Sequence, residues 1–196
     1  MTMRPFVIAG LLLSLLTCAG AQLADPNAES TLFLSISTLQ RNRTYGYTPS
    51  VQDSRIVAGA GFIYGNLFSR HFSMESHFEL QAGSNVFQAA LTGNLVYSYF
   101  PGEGRSALFA RCGYGIEIPS IFVTSILKLD VGVFAAGGGI KLPMDDDHLL
   151  RIELQYTRNR VYQYDAGSRF DTFSSLGIRI GYTLFYTEQP HQERRG

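Results

Sequence analysis

A row of polar side chains at alternate positions between residues 72 and 82 contains residue types that can carry out nucleophilic or acid–base chemistry. The row consists of Ser73, Glu75, His77, Glu79 and Gln81. Serine, histidine and a carboxylate together make up many hydrolytic sites. Residues at i and i+2 of an extended chain share a face but lie roughly 7 Å apart, which is too far for a direct hydrogen bond from nucleophile to base. Chemistry at this row would therefore need help from a neighbouring strand.

The positions between these polar residues are mostly apolar. They are Phe72, Met74, Ser76, Phe78, Leu80 and Ala82. A period of two is typical of a strand, because a helix would distribute the acidic and the aromatic residues around its whole circumference. The stretch is therefore predicted to be a strand with one polar and one apolar face.

The same alternation recurs in seven further segments. The eight predicted strands span residues 31–40, 55–66, 72–82, 87–100, 107–118, 125–140, 149–157 and 173–186. Most have about the ten residues that a tilted strand needs to cross a bilayer, and their number is even. An open sheet edge in lipid would leave backbone N–H and C=O groups without partners. The sequence therefore predicts an all-β fold, an eight-stranded antiparallel transmembrane β-barrel with up-and-down meander topology.

The sixth predicted strand is the least regular. Its alternation places Leu127, Leu129, Val131, Val133 and Ala135 on one face, against Lys128, Asp130, Gly132, Phe134 and Ala136 on the other. We expect Lys128 and Asp130, and with them Phe134, to face the barrel interior. The glycine run 137–139 leaves the register at the end of this strand open.

The N-terminal residues have the features of an export signal. Arg4 provides a positive start, residues 6–16 form a short apolar run, and residues 19–21 are a small-residue cleavage site. A lipoprotein signal ending at Cys18 is the alternative, although Thr17 stands where a smaller residue is usual. The predicted organisation is a signal peptide over 1–21, a periplasmic lead-in over 22–30, the barrel over 31–186 and a periplasmic tail over 187–196.

Charge and cysteine content exclude two classes of protein. The 16 basic residues balance the 16 acidic ones, so the overall charge offers no case for nucleic-acid binding. Removal of the signal peptide would leave Cys112 as the sole cysteine, which excludes a small disulfide-stapled fold. No cofactor is predicted. The run Asp145, Asp146 and Asp147 is interpreted as a solvated turn, because it lacks the glycine and distant glutamate of a calcium-binding loop.

The polar faces of the predicted strands point into the barrel, which at eight strands is just wide enough for side chains to fill it. They carry five basic and five acidic residues and one histidine, namely Arg55, Arg111, Lys128, Arg151, Arg179, Glu75, Glu79, Glu117, Asp130, Glu153 and His77. Because an unpaired interior charge would cost roughly several kcal/mol, we expect a neutralised network that fills the barrel. A conducting pore is the alternative.

Two of the connections are predicted to be long loops, over residues 41–54 and 158–171, whereas the turns near Ser69, Gly102 and Asp146 are short. Short turns are expected in the periplasm and long loops outside. The candidate contact residues of the loops are Arg41, Arg43, Tyr45, Tyr47, Arg158, Arg160, Tyr162 and Tyr164. Arginine with tyrosine is typical of contact surfaces and of phosphate recognition. Lipopolysaccharide or a surface protein is therefore the expected partner.

The last strand carries a motif that resembles an assembly signal. Arg179, Gly181, Leu184 and Tyr186 match its pattern of a polar residue, a glycine two positions later, and two hydrophobic or aromatic positions separated by one. With its eight predicted strands, the chain resembles the small outer-membrane barrels of the OmpX/Ail family and the transmembrane half of the outer membrane protein A family. The resemblance covers nearly the whole mature chain as architecture, but as sequence only this motif. The tail 187–196 is a departure, because many such barrels end on the aromatic residue.

This resemblance implies a bacterial outer-membrane protein with both termini in the periplasm, inserted by the barrel assembly machinery and in contact with outer-membrane lipid and lipopolysaccharide. The implied role is structural or surface interaction, as in adhesion or envelope integrity. The alternatives are a lipid A-modifying enzyme and a narrow channel. For the enzyme, His71-Phe72-Ser73 matches the His-x-Ser of the lipid A deacylase family. Met74 stands where that family has Asn, however, and the motif lies early in the chain rather than late.

The assembly motif yields a first prediction. Tyr186→Ser should lower the amount of folded barrel in the membrane without changing synthesis, because the motif loses the aromatic residue that the assembly machinery recognises. The folded amount is measured by gel electrophoresis of membrane samples, as the intensity of the band whose mobility changes when the sample is boiled. Tyr182→Ser, which changes an outward tyrosine outside the motif, is the matched control. Equal folded levels of the two variants would mean that the motif match is accidental.

Overall fold

Eight strands account for nearly all of the residues that the structure describes. The computed structural model describes residues 28–45, 48–84, 86–102, 106–120, 132–145, 147–163 and 169–185. The strands are β1 (Ala28–Tyr45), β2 (Thr48–Leu67), β3 (Phe72–Gly83), β4 (Val86–Tyr99), β5 (Ala107–Ser120), β6 (Gly132–Pro143), β7 (His148–Gln163) and β8 (Arg169–Phe185). The predicted signal peptide and C-terminal tail lie outside these ranges. Among the described residues, none forms a helix that is long and apolar enough to cross a bilayer.

Each strand pairs antiparallel with the next, and the last pairs with the first. The closing β1–β8 ladder runs without interruption from Glu29↔Phe185 to Tyr45↔Arg169. Every strand therefore has a hydrogen-bonded neighbour on each side, which closes the sheet as a bilayer requires. The predicted eight-stranded antiparallel barrel with meander topology is confirmed.

The outer surface of the barrel is apolar. On β1, Leu32, Leu34 and Ile36 are 65%, 70% and 65% exposed, whereas Phe33 and Ser35 between them are buried inside. The other strands add outward residues of the same kind, among them Leu95, Leu108, Leu154, Leu176, Ile178 and Ile180. An apolar surface that surrounds the whole molecule is the surface that lipid covers.

The polar row of β3 faces the barrel interior. Ser73, Glu75, His77, Glu79 and Gln81 are all buried, while the residues between them are exposed or half-buried. The predicted phase of β3 is therefore correct. The row meets inward residues of other strands, such as Ser35 of β1, Arg151 of β7 and Arg179 of β8, rather than solvent.

The predicted phase of the sixth strand is wrong. Val133 and Ala135 are 1% and 2% exposed and point inward, whereas Phe134 is 46% exposed and points outward. Both faces of this strand consist of small or apolar residues, so alternation in the sequence does not show which face points into the barrel. Pairing decides instead, because Val133 and Ala135 lie opposite Gly115 and Gly113 of β5, where the missing side chains leave room inside. Lys128 and Asp130, which were predicted to lie inside, fall outside the described residues.

The two predicted long loops are largely strand. The β1–β2 ladder continues to Tyr45↔Thr48, with one bulge at Asn42/Arg43, and the β7–β8 ladder continues to Gln163↔Arg169. The sequence signal ended earlier because the outward positions turn polar there, as at Asn42, Ser54 and Arg158. Outside a bilayer the outward face needs no apolar residues, so alternation stops while hydrogen bonding goes on. Pro49 lies within this ladder opposite Thr44.

The β2–β3, β4–β5 and β6–β7 connections lie at one end of the barrel, together with the first and last described residues. The β2–β3 and β6–β7 turns close with backbone hydrogen bonds from Phe68 N to Phe72 O and from Met144 N to His148 O, both 2.9 Å. Aromatic rings gather there, with Phe72 and Tyr97 at 5.2 Å between centroids. This grouping agrees with the predicted arrangement, and the periplasmic side remains its expected location.

Inward glycines give the narrow interior its room. A Cβ placed on Gly59 would lie 2.5 Å from Ser35 Oγ and 2.8 Å from the Leu80 carbonyl oxygen, whereas one on the outward Gly93 would have no atom within 4 Å. Gly59→Val should therefore lower the free energy of unfolding by about 1–3 kcal/mol through overpacking. Gly93→Val, the matched control, should leave it unchanged or raise it slightly, since valine favours strands. Urea unfolding in lipid vesicles measures both, and equal midpoints would contradict this account of the interior.

Candidate functional site

Arg151 of β7 is the centre of a charged network inside the barrel. Its Nη1 and Nη2 donate to Glu75 Oε1 and Oε2 of β3 at 2.8 and 2.9 Å, and Nη2 also donates to Glu153 Oε2 at 3.1 Å. The guanidinium carbon lies 4.3 Å from the centroid of the Phe109 ring. A bidentate pair of this kind needs the planar fork of arginine, and the ring below accommodates the cation without water. Arg151 therefore ties two sides of the barrel together.

Two more arginines extend the network along the barrel. Arg111 Nε donates to Glu153 Oε1 at 2.5 Å, and its Nη1 donates to Asn94 Oδ1 at 2.7 Å. Arg179 Nη2 donates to Glu79, and its Nη1 lies 3.7 Å from Glu153 Oε1. Glu153 thus contacts three guanidinium groups, which leaves little of its negative charge uncompensated.

Two interior residues were missed by the sequence analysis. Lys141 Nζ donates to Glu29 Oε1 and Oε2 at 2.6 and 2.8 Å and lies 3.8 Å from Glu75 Oε1. Glu29 had been assigned to the lead-in, although it shares the inward phase of Phe33 and Ser35. Lys141 lies an even number of residues after Val133 and Ala135 and therefore points inward with them. Because these two residues were predicted to face outward, the interior position of Lys141 was missed.

Both ring nitrogens of His77 are occupied. Nε2 lies 2.7 Å from the Glu75 carboxylate and Nδ1 lies 3.0 Å from Arg179 Nη1. A carboxylate only accepts and a guanidinium only donates, so the ring carries its hydrogen on Nε2 and accepts at Nδ1. No lone pair of the ring remains to take a proton from a serine. This arrangement is that of a packed residue in a network, not of a general base.

The His-x-Ser sequence does not form a catalytic pair. His71 lies exposed in the β2–β3 turn, where its Nδ1 is 2.9 Å from the Ser98 carbonyl oxygen. Ser73 is buried inside the barrel. The described residues therefore provide no serine paired with a free histidine nitrogen at either place where the sequence indicated hydrolysis.

The structure brings together most, but not all, of the predicted interior residues. Glu75, His77, Glu79, Arg111, Arg151, Glu153 and Arg179 form the network just described. Glu117 is also buried, but it lies apart and accepts a hydrogen bond from Gln88 Nε2 at 2.8 Å. Arg55 differs from the expectation: it lies half-exposed at the rim and pairs with Asp53 at 2.9 Å. In the β1–β2 ladder, Arg55 pairs with Leu39, one step past the pair of Ile56 with Thr38 at which the apolar outer surface ends.

The structure describes only some residues of the assembly motif and only some of the candidate contact residues. Arg179 and Gly181 point inward and Leu184 is half-buried, while Tyr186 lies outside the described residues. Of the contact residues, Arg41 lies with its guanidinium carbon 5.4 Å from the Phe173 ring, and Arg158 is exposed. Arg43, Tyr45, Arg160 and Tyr162 lie on the extended ladders, where only their backbone is described, and Tyr47 and Tyr164 lie outside the described residues. The roles proposed for these residues remain predictions.

The acidic turn between β6 and β7 forms its own hydrogen bonds. Asp145 Oδ1 accepts from His148 Nδ1 at 2.5 Å and from the Asp147 amide at 3.0 Å. The hydrogen bond from His148 holds the pKa of the Asp145 carboxyl below its usual range. Asp146 is not among the described residues. No group of three or more metal-ligating side chains occurs among those that are.

The closed ladder, the apolar exterior and the charged interior define the class of this protein. It is a transmembrane β-barrel of the small eight-stranded outer-membrane type. No protein-family model matches the sequence, and no curated protein matches it.

Solved structures of such barrels are similar to this chain. Neisserial surface protein A is 6% identical with a TM-score of 0.44, and the match covers 76% of this chain and 96% of that one. OprG from Pseudomonas aeruginosa is 11% identical with a TM-score of 0.43, covering 81% and 96%. Ail of Yersinia pestis is 16% identical with a TM-score of 0.42, covering 81% and 99%. The assignment to this class rests on the closed ladder and the apolar outer surface of this chain.

The network can be tested at its centre. Arg151→Met should lower the free energy of unfolding by about 3–5 kcal/mol, because it leaves Glu75 and Glu153 buried without their shared cation. Adding Glu75→Gln should recover part of this loss, because one of the two carboxylates is then neutral. Arg55→Met at the rim, the matched control, should change stability by less than about 0.5 kcal/mol.

Urea unfolding in lipid vesicles, followed by the heat-dependent gel shift, gives the free energy of unfolding of the intact protein and of the three variants. The charged network would not be a structural element if Arg151→Met cost no more than Arg55→Met.

Proposed function

We propose that this outer-membrane barrel acts as a structural anchor that presents a sheet for surface interaction. The observation that carries the proposal is the continuation of four strands beyond the apolar band. β2, β1, β8 and β7 stay paired to the ends of their described residues. We call this part of the barrel wall the projecting sheet, formed by residues 39–45, 48–55, 158–163 and 169–175.

The projecting sheet begins where the lipid-facing surface ends. Ile56 and Leu176, both opposite Thr38, are the last large apolar residues on the outward faces of β2 and β8 whose side chains are described. Beyond them β1 continues for seven residues to Tyr45, which corresponds to roughly 20 Å along the strand. The outward side chains described there, such as Ser54 and Arg158, are polar. This surface therefore suits contact with water and with another molecule.

One edge of the projecting sheet is open. β2 pairs with β3 only as far as Val57↔Gly83, because the β3–β4 hairpin turns there, with β4 beginning at Val86. Residues 48–56 of β2 pair with β1 alone among the described residues. A strand edge with free N–H and C=O groups can accept an extended segment of another protein.

The charges of the projecting sheet favour an acidic partner. Its strands carry Arg41, Arg43, Arg55, Arg158, Arg160 and Arg169 against Asp53 and Asp171. Arginine forms bidentate hydrogen bonds with carboxylates, and a positive surface speeds the approach of a negative one. The proposed partner is therefore an extended, acidic segment of a surface protein.

The filled interior supports an anchor rather than a channel. Side chains from opposite walls meet across the axis, as in Arg151 with Glu75 and Lys141 with Glu29. Ions would have to displace these pairs to pass, which costs roughly several kcal/mol for each broken pair. We therefore expect no conductance in planar bilayers at moderate voltage, and stepwise ion currents would favour the channel instead.

Shortening the β1–β2 hairpin tests the surface role. Residues 43–51 are replaced by Asn-Gly, which joins the paired residues Asn42 and Gln52 through a two-residue turn. Cells with the intact barrel should attach several-fold better to a surface coated with casein, an acidic and extended protein, than cells with the shortened form. Attachment to a surface coated with a basic protein should not differ.

Arg70→Ser, in a turn at the opposite end of the barrel, is the matched control and should attach like the intact protein. All forms are compared at equal folded amounts, measured by the heat-dependent gel shift. Equal attachment of intact and shortened forms to casein would disprove the surface role of the hairpin.

A further inference from the structure

The barrel interior contains a cavity at the end nearest the projecting sheet. Its lining includes Gln88, Thr92, Glu117, Asn159, Phe173 and Arg179. The cavity offers about 20 Å³ in which the centre of a water molecule can lie. This is space for roughly one water molecule or one small ion. We call this space the outer cavity.

A buried carboxylate without an ion pair lines the outer cavity. Glu117 is 8% exposed, and its carboxylate accepts a hydrogen bond, 2.8 Å long, from Gln88 Nε2 and another from the Asn159 side chain. Among the described residues, every other interior carboxylate lies within ion-pair distance of a lysine or arginine, and Glu117 does not. A buried carboxylate left in this state is unfavourable unless a positive charge or a proton joins it.

A second buried oxygen, on a side chain that lines the outer cavity, has no partner. Asn159 is 4% exposed, and its Oδ1 accepts no hydrogen bond. Asn159 lies on β7 opposite Val133 of β6 and Phe173 of β8, so its backbone is fixed by ladders on both sides. A buried amide oxygen normally has a donor or a cation beside it. The same Asn159 side chain donates to the Glu117 carboxylate, so its unpaired oxygen belongs to a group next to Glu117 and lacks a donor or a cation.

The charge balance of the interior supports the same conclusion. The buried cations of the described residues are Arg111, Lys141, Arg151 and Arg179, four in all, against the five carboxylates Glu29, Glu75, Glu79, Glu117 and Glu153. His77 adds no charge, because its Nδ1 accepts a hydrogen bond from Arg179. The described interior therefore lacks one positive charge, and Glu117 is the carboxylate that lacks it.

We propose that the outer cavity binds one small monovalent cation, held by the Glu117 carboxylate and Asn159 Oδ1. One carboxylate with neutral oxygens suits a single positive charge, whereas calcium sites usually gather several carboxylates. Arg179 also lines the cavity and would repel a second positive charge. The bound cation neutralises Glu117 and completes the interior charge network. Sodium, potassium and ammonium share this chemistry, and the cation is a structural ligand of the folded barrel.

The purified barrel in lipid vesicles is unfolded with urea in potassium chloride, sodium chloride, ammonium chloride or N-methylglucamine chloride at equal ionic strength. N-methylglucamine is too large for the outer cavity. A ligand that binds only the folded state raises its stability with concentration. We therefore expect at least one small cation to shift the unfolding midpoint upward, by an amount that grows and then saturates.

Variants at the site separate binding from general salt effects. Glu117→Gln should abolish the shift, and Asn159→Leu should raise the cation concentration needed for half of the shift at least tenfold. Asp53→Asn, which also removes a carboxylate but at the rim beside Arg55, is the matched control and should keep the shift unchanged. If Glu117→Gln does not fold, diffraction from intact barrel crystals soaked in thallium(I), a potassium substitute, should show anomalous scattering in the outer cavity.

Five outcomes would overturn the proposal. These are equal midpoints of the intact protein in all four salts, a shift that persists in folded Glu117→Gln, and an outer cavity without thallium in the soaked crystals. The fourth is an infrared band of a protonated carboxyl group at neutral pH that disappears in Glu117→Gln, which would show that a proton neutralises Glu117. If the shift appears only after Lys128→Gln, a lysine of the chain occupies the site and the proposal is equally wrong.

Discussion

The rest of the structure depends on one constraint, the absence of hydrogen-bond partners for the backbone in lipid. β1 must therefore pair with β8 along its whole length, and the sheet closes. Eight strands close at a radius that leaves an interior only wide enough for side chains. Since lipid takes the apolar face of each strand, the polar face has no place except this narrow interior. The charged core is thus a consequence of closure.

Closure also decides which residues can neutralise each other. Neighbouring strands present their inward side chains side by side, but the strongest pairs reach across the axis, from Arg151 on β7 to Glu75 on β3 and from Lys141 on β6 to Glu29 on β1. A bidentate pair tolerates little sliding. A shift of one strand by one residue would turn its member of the pair toward lipid and leave the other charge unpaired inside. The cross-barrel pairs therefore select one register out of many that backbone pairing alone would allow.

The sequence predicted the architecture well because lipid imposes a strict alternation, and it failed wherever that requirement lapses. On β3 the contrast between Glu75 and Phe78 determines the phase, whereas on β6 glycine, alanine and valine occupy both faces and only pairing with β5 determines it. The ladder beyond Gln40 was missed because its outward residues no longer need to be apolar. The pairing of Lys141 with Glu29 joins residues that are 112 positions apart, which alternation within single strands cannot reveal. Arg55, by contrast, had the right phase but lies beyond the level of the lipid.

The open edge of β2 also locates the membrane boundary. β3 leaves β2 at Val57↔Gly83, so the next outward backbone groups of β2 have no ladder partner among the described residues. Such groups would each cost roughly several kcal/mol inside hydrocarbon, so the lipid must end near Val57 on this side. The side chains agree independently, because the outward residue Ile56 is apolar and the next one, Ser54, is polar. Arg55 lies at the same level and donates to the Ser84 carbonyl oxygen at 2.9 Å, which caps the hairpin where water begins. Backbone pairing, side-chain polarity and the capping arginine change together at one level, and there the anchor ends and the projecting sheet begins.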